Sequence, residues 1–183
     1  MNLPLSPAHI QDNPDGFFSL PSLRSCLALL SLGSLAGLIQ GLVHIPLHIP
    51  GHQGLMLMAI LMYARMNTPY RFAATFCTMG ATLVTYLIGL HDPLAYFSFM
   101  MTGIALDLLF GLATRRPLII ALAGALAFLA HPLLQGFVMM TSPMFFKPLF
   151  FSIPYLLMTH LAFGYTGSLI GLGLTKTKRM NWD

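Results

Sequence analysis

Six apolar runs, each closed by a proline or a short polar break, leave this chain few ways to fold. A segment of about 20 apolar residues crosses the hydrocarbon core of a bilayer as a helix. The runs cover Cys26–Ile45, Gly51–Met66, Tyr70–Leu90, Pro93–Ala113, Pro117–Met140 and Leu149–Leu174. Charge decides the solvent. Only 8% of the 183 residues are charged and 56% are hydrophobic, whereas a soluble domain averages about 25% charged. Too little charge remains to coat a water-facing surface. The expected fold is all-α: a polytopic membrane protein, a six-transmembrane-helix bundle with a short second helix. Residues 1–23 are expected to form an N-terminal cytoplasmic or interfacial segment, residues 24–175 the membrane domain, and residues 176–183 a basic cytoplasmic tail.

The breaks between runs are chemically distinct. Pro46 and Pro50 stop the first helix. "NTP" (67–69), "HDP" (91–93), Arg115 with Arg116, and "TSPMFFKP" (141–148) separate the others. The second run is the weak one, because about 16 residues barely cross at roughly 1.5 Å each, and a re-entrant helix has the same signature. Placement of positive charge favours a full crossing. With six crossings and both termini inside, Arg24, Arg65, Arg71, Arg115, Arg116, Lys176, Lys178 and Arg179 are cytoplasmic and Lys147 alone is outside, eight against one. A five-crossing arrangement gives seven against two, and both obey the positive-inside rule. The reading adopted is a multi-pass protein of a bacterial inner (cytoplasmic) membrane with both termini cytoplasmic. The net charge of +4 then reports loop placement, and nucleic acid is not an expected partner. Residues 1–23 carry no Lys or Arg, so no cleavable signal peptide is expected.

This topology gathers the imidazoles. "VHIPLHIPGHQG" (43–54) places His44, His48 and His52 at the outer end of the first two helices, with His91 on the same side. His131 and His160 fall roughly 15 Å below that surface at helical rise. Six of seven histidines thus share the outer half. Interhelical hydrogen bonding or solvation at the rim accounts for such residues one at a time; for the group, a ligand recess with His131 and His160 as its floor is the preferred reading. His44 and His48 do not suit one shared ion. Pro46 and Pro50 push their segment towards an extended form, where four residues span about 12 Å.

Asp107 is the only acidic residue well inside a run, and a carboxylate there needs a partner or must stay protonated. Arg65 and Arg71 are the candidates, and structural pairing is preferred to a proton relay. Cys77 has small neighbours at Ala73, Ala74, Gly80 and Ala81. It reads either as a packed thiol or as a soft metal ligand. No disulfide with Cys26 is expected. Gly33, Gly37 and Gly41 recur every four residues in "GSLAGLIQG" and make a stripe for another helix to dock on, within this chain or in a partner. Met56, Met58 and Met62 read as adaptable filling. The chain has no Walker motif, HExxH, GxSxG or paired carboxylates. An enzyme is not expected, and active transport needs energy from elsewhere.

The run count, the glycine stripe, the turn "HIPGHQG" before a short second helix and "GIALDLLFGL" (103–112) together resemble the substrate-binding S component of energy-coupling factor (ECF) vitamin transporters. The resemblance covers about residues 24–175. It implies capture of a vitamin or metal from outside, and docking through the first helix (here Gly33, Gly37 and Gly41) on an ECF transmembrane subunit driven by two ATPases. An N-terminal Met-His pair, as in the cobalt/nickel branch, is absent from "MNLPLSP". Cys77 resembles the cobalt-ligating cysteine of the solitary proteobacterial cobalamin branch. The resemblance implies a cobalamin-like corrinoid as transported ligand, with no intrinsic cofactor, Cys77 as cobalt ligand and the histidines at the mouth. Two alternatives stay open: a transition-metal (Co/Ni) or haem uptake component using the histidines alone, and a non-transporting membrane assembly subunit.

Overall fold

Proline and glycine punctuate the chain where the helices begin. Pro93 and Pro117 open two of them, where the missing N–H costs nothing and the fixed φ suits the first turn. Gly51, at φ +85°, turns the chain into a third. The computed structural model describes residues 21–42, 51–89, 93–113, 116–140 and 146–177. Among them every regular element is helical, as expected, and there is no strand. The helices are α1 (Leu23–Leu42), α2 (Gly54–Asn67), α3 (Ala73–Leu87), α4 (Pro93–Leu112), α5 (Pro117–Phe128), α6 (Ala130–Met140) and α7 (Phe146–Thr177).

The fifth apolar run is broken, which hydropathy did not foretell. Pro132 has no N–H for the Phe128 carbonyl, so the helix cannot pass through Leu129 unaltered. The Leu129 amide bonds Leu126 O at 3.2 Å instead of continuing the α ladder, and α5 gives way to α6 after one residue. Pro154 lies inside α7 and removes a ladder bond there in the same way.

Neighbour relations form a ring. α1 packs on α3, α3 on α4, α4 on α5 and α6, α5 on α7, and α7 on α2. The short α2 also touches α1, α3 and α5 and fills the middle. Its Leu57, Met58, Leu61, Met62 and Ala64 are fully enclosed. A helix apolar on all sides belongs in such a place. At roughly 1.5 Å per residue, α2 rises about 21 Å against a hydrocarbon core of about 30 Å. Being central, it need not meet lipid along its whole length.

Three helical stretches are long and apolar enough to cross a membrane: Leu23–Leu42, Pro117–Leu134 and Ile153–Thr175. Gly54–Asn67, Ala73–Leu87 and Tyr96–Leu112 are apolar but shorter. The outer surface is apolar as well. Leu27, Leu35, Leu83, Phe97, Leu108, Leu118, Leu122 and Met158 are all exposed, whereas water-soluble monomers rarely display large apolar patches. These features are those of a membrane protein.

Two glycine seams hold the ring together. A Cβ at Gly33 would overlap the Cys77 carbonyl, one at Gly37 would sit 2.7 Å from Ala81 O, and one at Gly80 would overlap the Leu30 carbonyl. α1 and α3 therefore meet backbone to backbone, and the Ser34 hydroxyl donates to Gly80 O across the seam at 3.3 Å. Gly167 and Gly171 of α7 lie likewise on the Leu55 and Ala59 carbonyls of α2. Close approach of this kind supplies packing between helices that share an apolar solvent.

Candidate functional site

The polar residues of the bundle gather at two ends. At the end where α2 begins, the break at Leu129 brings three rings together. The Phe128 and His160 centroids are 5.1 Å apart, Phe128 and His131 6.0 Å, and His131 and His160 5.6 Å, with interplanar angles of 27°, 14° and 20°. His160 is buried and His131 partly so. Each imidazole is oriented through Nδ1. His160 Nδ1 donates to the Leu156 carbonyl one turn back at 2.8 Å, and His131 Nδ1 bonds the Ser98 hydroxyl of α4 at 2.7 Å. Since a carbonyl only accepts, the Leu156 bond places a proton on His160 Nδ1, so that in the neutral ring Nε2 carries the lone pair.

The motif "GHQG" covers this cluster. A Cβ at Gly51 would stand 3.0 Å from His160 Nδ1, and one at Gly54 would overlap the Phe128 ring. The turn thus lies flat on both rings, and it can do so because neither glycine has a side chain. Gly51 of the turn and Gly54 at the start of α2 are thus packing surfaces. His52, between them in sequence, is half-buried. His44, His48 and His91, the expected mouth of the recess, lie outside the described residues.

Cys77 is elsewhere. It is fully buried, one turn from the start of α3, beneath the seam with α1. Measured along the helices, it lies roughly 10 Å from the level of Ser98. Cys77 therefore lies at a different level of the bundle from Ser98, the residue that His131 bonds. Among the described residues no three His, Cys, Asp or Glu side chains gather at metal-binding distances. Cys26 and Cys77 are both free thiols.

The opposite end carries an ionic hub. Arg65 Nε stands 3.3 Å from Asp107 Oδ1, both side chains being buried, so of the two arginines considered Arg65 is the partner. Asp107 does more than pair. Its Oδ1 accepts from the Ala74 amide at 3.2 Å, and its Oδ2 from the Thr75 amide at 2.8 Å and the Thr75 hydroxyl at 2.7 Å. These are amides of the first turn of α3, whose own N-cap residue, Phe72, offers no side-chain bond. A carboxylate from α4 thus serves as the N-cap of α3, where the helix dipole also favours negative charge. The Arg65 guanidinium lies 4.4 Å over the Phe110 ring, while its Nε and Nη1 have no hydrogen-bond partner. The hub is structural in form: it ties α2, α3 and α4 together at one point.

The glycine stripe has an occupant inside the chain. Gly33 and Gly37 are used by α3, so the face proposed for a partner subunit is already covered at those two positions. Sequence reasoning missed Ser98, Phe128 and the Leu156 carbonyl altogether. Only Pro132, one residue past His131, signalled the break that assembles the rings. Searches against family models, curated proteins and solved structures found no match to this chain.

Proposed function

We propose that this chain is the substrate-binding subunit of a membrane uptake system, and that its cargo is a transition metal held by imidazole nitrogen. In this reading it crosses a bacterial cytoplasmic membrane six times, with both termini cytoplasmic. The histidine end then faces outward and the Arg65–Asp107 end inward. The observation that carries it is the His131–His160–Phe128 ring cluster lying beneath Gly51 and Gly54. Ionisable side chains within a bundle this apolar mark ligand or ion pathways by default, and neutral imidazole is the commonest metal ligand. Energy for release comes from a partner, since the chain has no nucleotide-binding motif. An ECF transmembrane subunit with its ATPases is the partner type that the resemblance suggests. Such a partner would meet α1 on its open face, at Leu27 and Leu35.

The corrinoid form of the reading is the second one. It requires a large ligand to reach Cys77, which lies beneath the tightest seam of the bundle, and so requires α1 to part from α3. The histidine form needs no such opening. Accumulation of radioactive cobalt ion and of cobalamin by cells expressing the protein distinguishes them. Ion uptake lost in His131→Ala/His160→Ala and retained in Cys77→Ala supports the histidine form. Cobalamin uptake lost in Cys77→Ala supports the corrinoid form. Absence of both, in cells supplied with the energising partner, overturns the proposal.

A further inference from the structure

We infer that the bundle is built as two rigid halves, hinged at the Arg65–Asp107 end, which part at the histidine end when the Ser98–His131 hydrogen bond opens. The motion is a property of the fold; only its use as an entry path for cargo rests on the uptake reading. Glycine contacts define the halves. In the first, Gly33, Gly37 and Gly80 join α1 to α3. A Cβ at Gly103 of α4 would overlap the Thr78 hydroxyl and stand 3.0 Å from Ala74 O, which joins α4 to α3. In the second, Gly167 and Gly171 of α7 lie on α2, and Gly164 of α7 lies on Ala125 and Phe128 of α5. Gly124 of α5 meets Ser168 of α7 and Met62 of α2, while Gly51 and Gly54 cover His160 and Phe128. None of these approaches crosses from one half to the other.

Contacts of this kind are stiff. With no side chain between the helices, nothing can change rotamer to accommodate a shift, and the close packing is lost at once if they separate. The boundary between the halves is different. There α1 meets α2, α2 meets α3, and α4 meets α5 and α6, and side-chain contacts between packed helices can slide and repack. Polar contacts tie the boundary at its two ends. At one end Arg65 of α2 stands 3.3 Å from Asp107 and lies over the Phe110 ring, both on α4. The chain passes from α2 to α3 and from α4 to α5 at that same end, through short links after Asn67 and Leu112. At the other end His131 of α6 bonds the Ser98 hydroxyl of α4 at 2.7 Å. His131 belongs to the second half with Phe128 and His160, so a hydroxyl of the first half closes against their ring cluster. Parting a buried ion pair leaves two uncompensated charges, whereas a neutral hydrogen bond is far cheaper to open. The ionic end is therefore the fulcrum and Ser98–His131 the latch. Ser98 stands two and a half turns of α4 from Asp107, roughly 14 Å, so a tilt of about 15° separates the halves by about 4 Å at the latch.

Double electron–electron resonance between nitroxide labels tests this, on the full-length protein in lipid nanodiscs and in a background lacking Cys26 and Cys77. Leu42→Cys with Met158→Cys spans the boundary at the histidine end, and Leu23→Cys with Leu118→Cys spans it at the fulcrum. Leu42→Cys with Phe97→Cys lies within the first half, and Leu126→Cys with Met158→Cys within the second. All six positions are exposed. Ser98→Ala should add a population about 4 Å longer to the first pair and leave the other three pairs as they are. His131→Phe, which keeps a ring in the stack and removes the bonding nitrogen, should do the same. Unchanged distances in both variants would overturn the inference, as would lengthening within a half, or at the fulcrum by as much as at the histidine end. Accumulation of radioactive cobalt ion, measured separately, keeps the two claims apart. A lengthened first pair without uptake supports the hinge and counts against the uptake reading alone. Unchanged distances with uptake intact overturn the hinge and leave that reading standing.

Discussion

Replacing Asp107 by Asn probes the ionic hub with one altered atom and nearly constant volume. In the wild type the carboxylate accepts from the Ala74 amide, the Thr75 amide and the Thr75 hydroxyl, and faces Arg65 at 3.3 Å. An asparagine oxygen in the Oδ2 position keeps both Thr75 bonds. The new NH2 then faces the Ala74 N–H and the guanidinium, donors against donors. Breaking a buried pair by removing one charge costs about 3–5 kcal/mol, because the other charge is left uncompensated. The lost charge-assisted bond to Ala74 belongs to the same loss and is not added to it. A total of about 4 kcal/mol is expected, which for a chain of this length is a fall in Tm of roughly 8–16 °C. Arg65→Met should cost less. Asp107 would keep three donors and the N-terminus of α3, whereas Arg65 without Asp107 keeps only the Phe110 ring, its Nε and Nη1 having no hydrogen-bond partner. Arg65→Met/Asp107→Asn should then be less destabilised than the sum of the single variants. Thermal unfolding in detergent, followed by circular dichroism, measures all three. An Asp107→Asn protein within 1 kcal/mol of wild type, or a larger loss for Arg65→Met, would refute the reasoning.

Other substitutions separate packing from ligand binding. Gly33→Ala drives a methyl into the Cys77 carbonyl and should lower stability by about 1–3 kcal/mol, read as Tm; an unchanged Tm would mean that α1 and α3 are not in backbone contact. Gly51→Ala puts a Cβ against His160 at φ +85° and should cost about 1–2 kcal/mol from the left-handed backbone alone, with weakened cobalt binding as the second readout. Cys77→Ala should lose about 1–2 kcal/mol for the vacated volume and leave metal binding intact, whereas loss of ligand binding with full stability would restore the thiolate reading.

Much of the fold was legible because its causes are local. Prolines and short polar breaks delimit the apolar runs, and the helices follow them to within a few residues. The exception shows the limit: Pro132 interrupts the hydrogen-bond ladder at Leu129 inside an apolar run whose hydropathy never falters, so composition gives no sign of it. The Arg65–Asp107 pair could be anticipated because a lone buried acid needs a partner. Its capping of Ala74 and Thr75 could not, since the cap comes from more than thirty residues away and Phe72 occupies the usual position. The glycine stripe announced a close helix contact without naming the other helix, because any carbonyl-bearing backbone fits it. Ser98 gave no signal. A single serine in an apolar helix is ordinary, and only the break at Leu129 brings His131 to it.

In the proposed orientation the histidine end opens away from the cytosol and the Arg65–Asp107 end faces it. Labelling with a membrane-impermeant maleimide, in a background lacking Cys26 and Cys77, tests that directly with single cysteines at positions 52 and 116. His52→Cys should react in intact cells and Arg116→Cys only after permeabilisation. Equal labelling of both in intact cells, or the reverse order, would contradict the account.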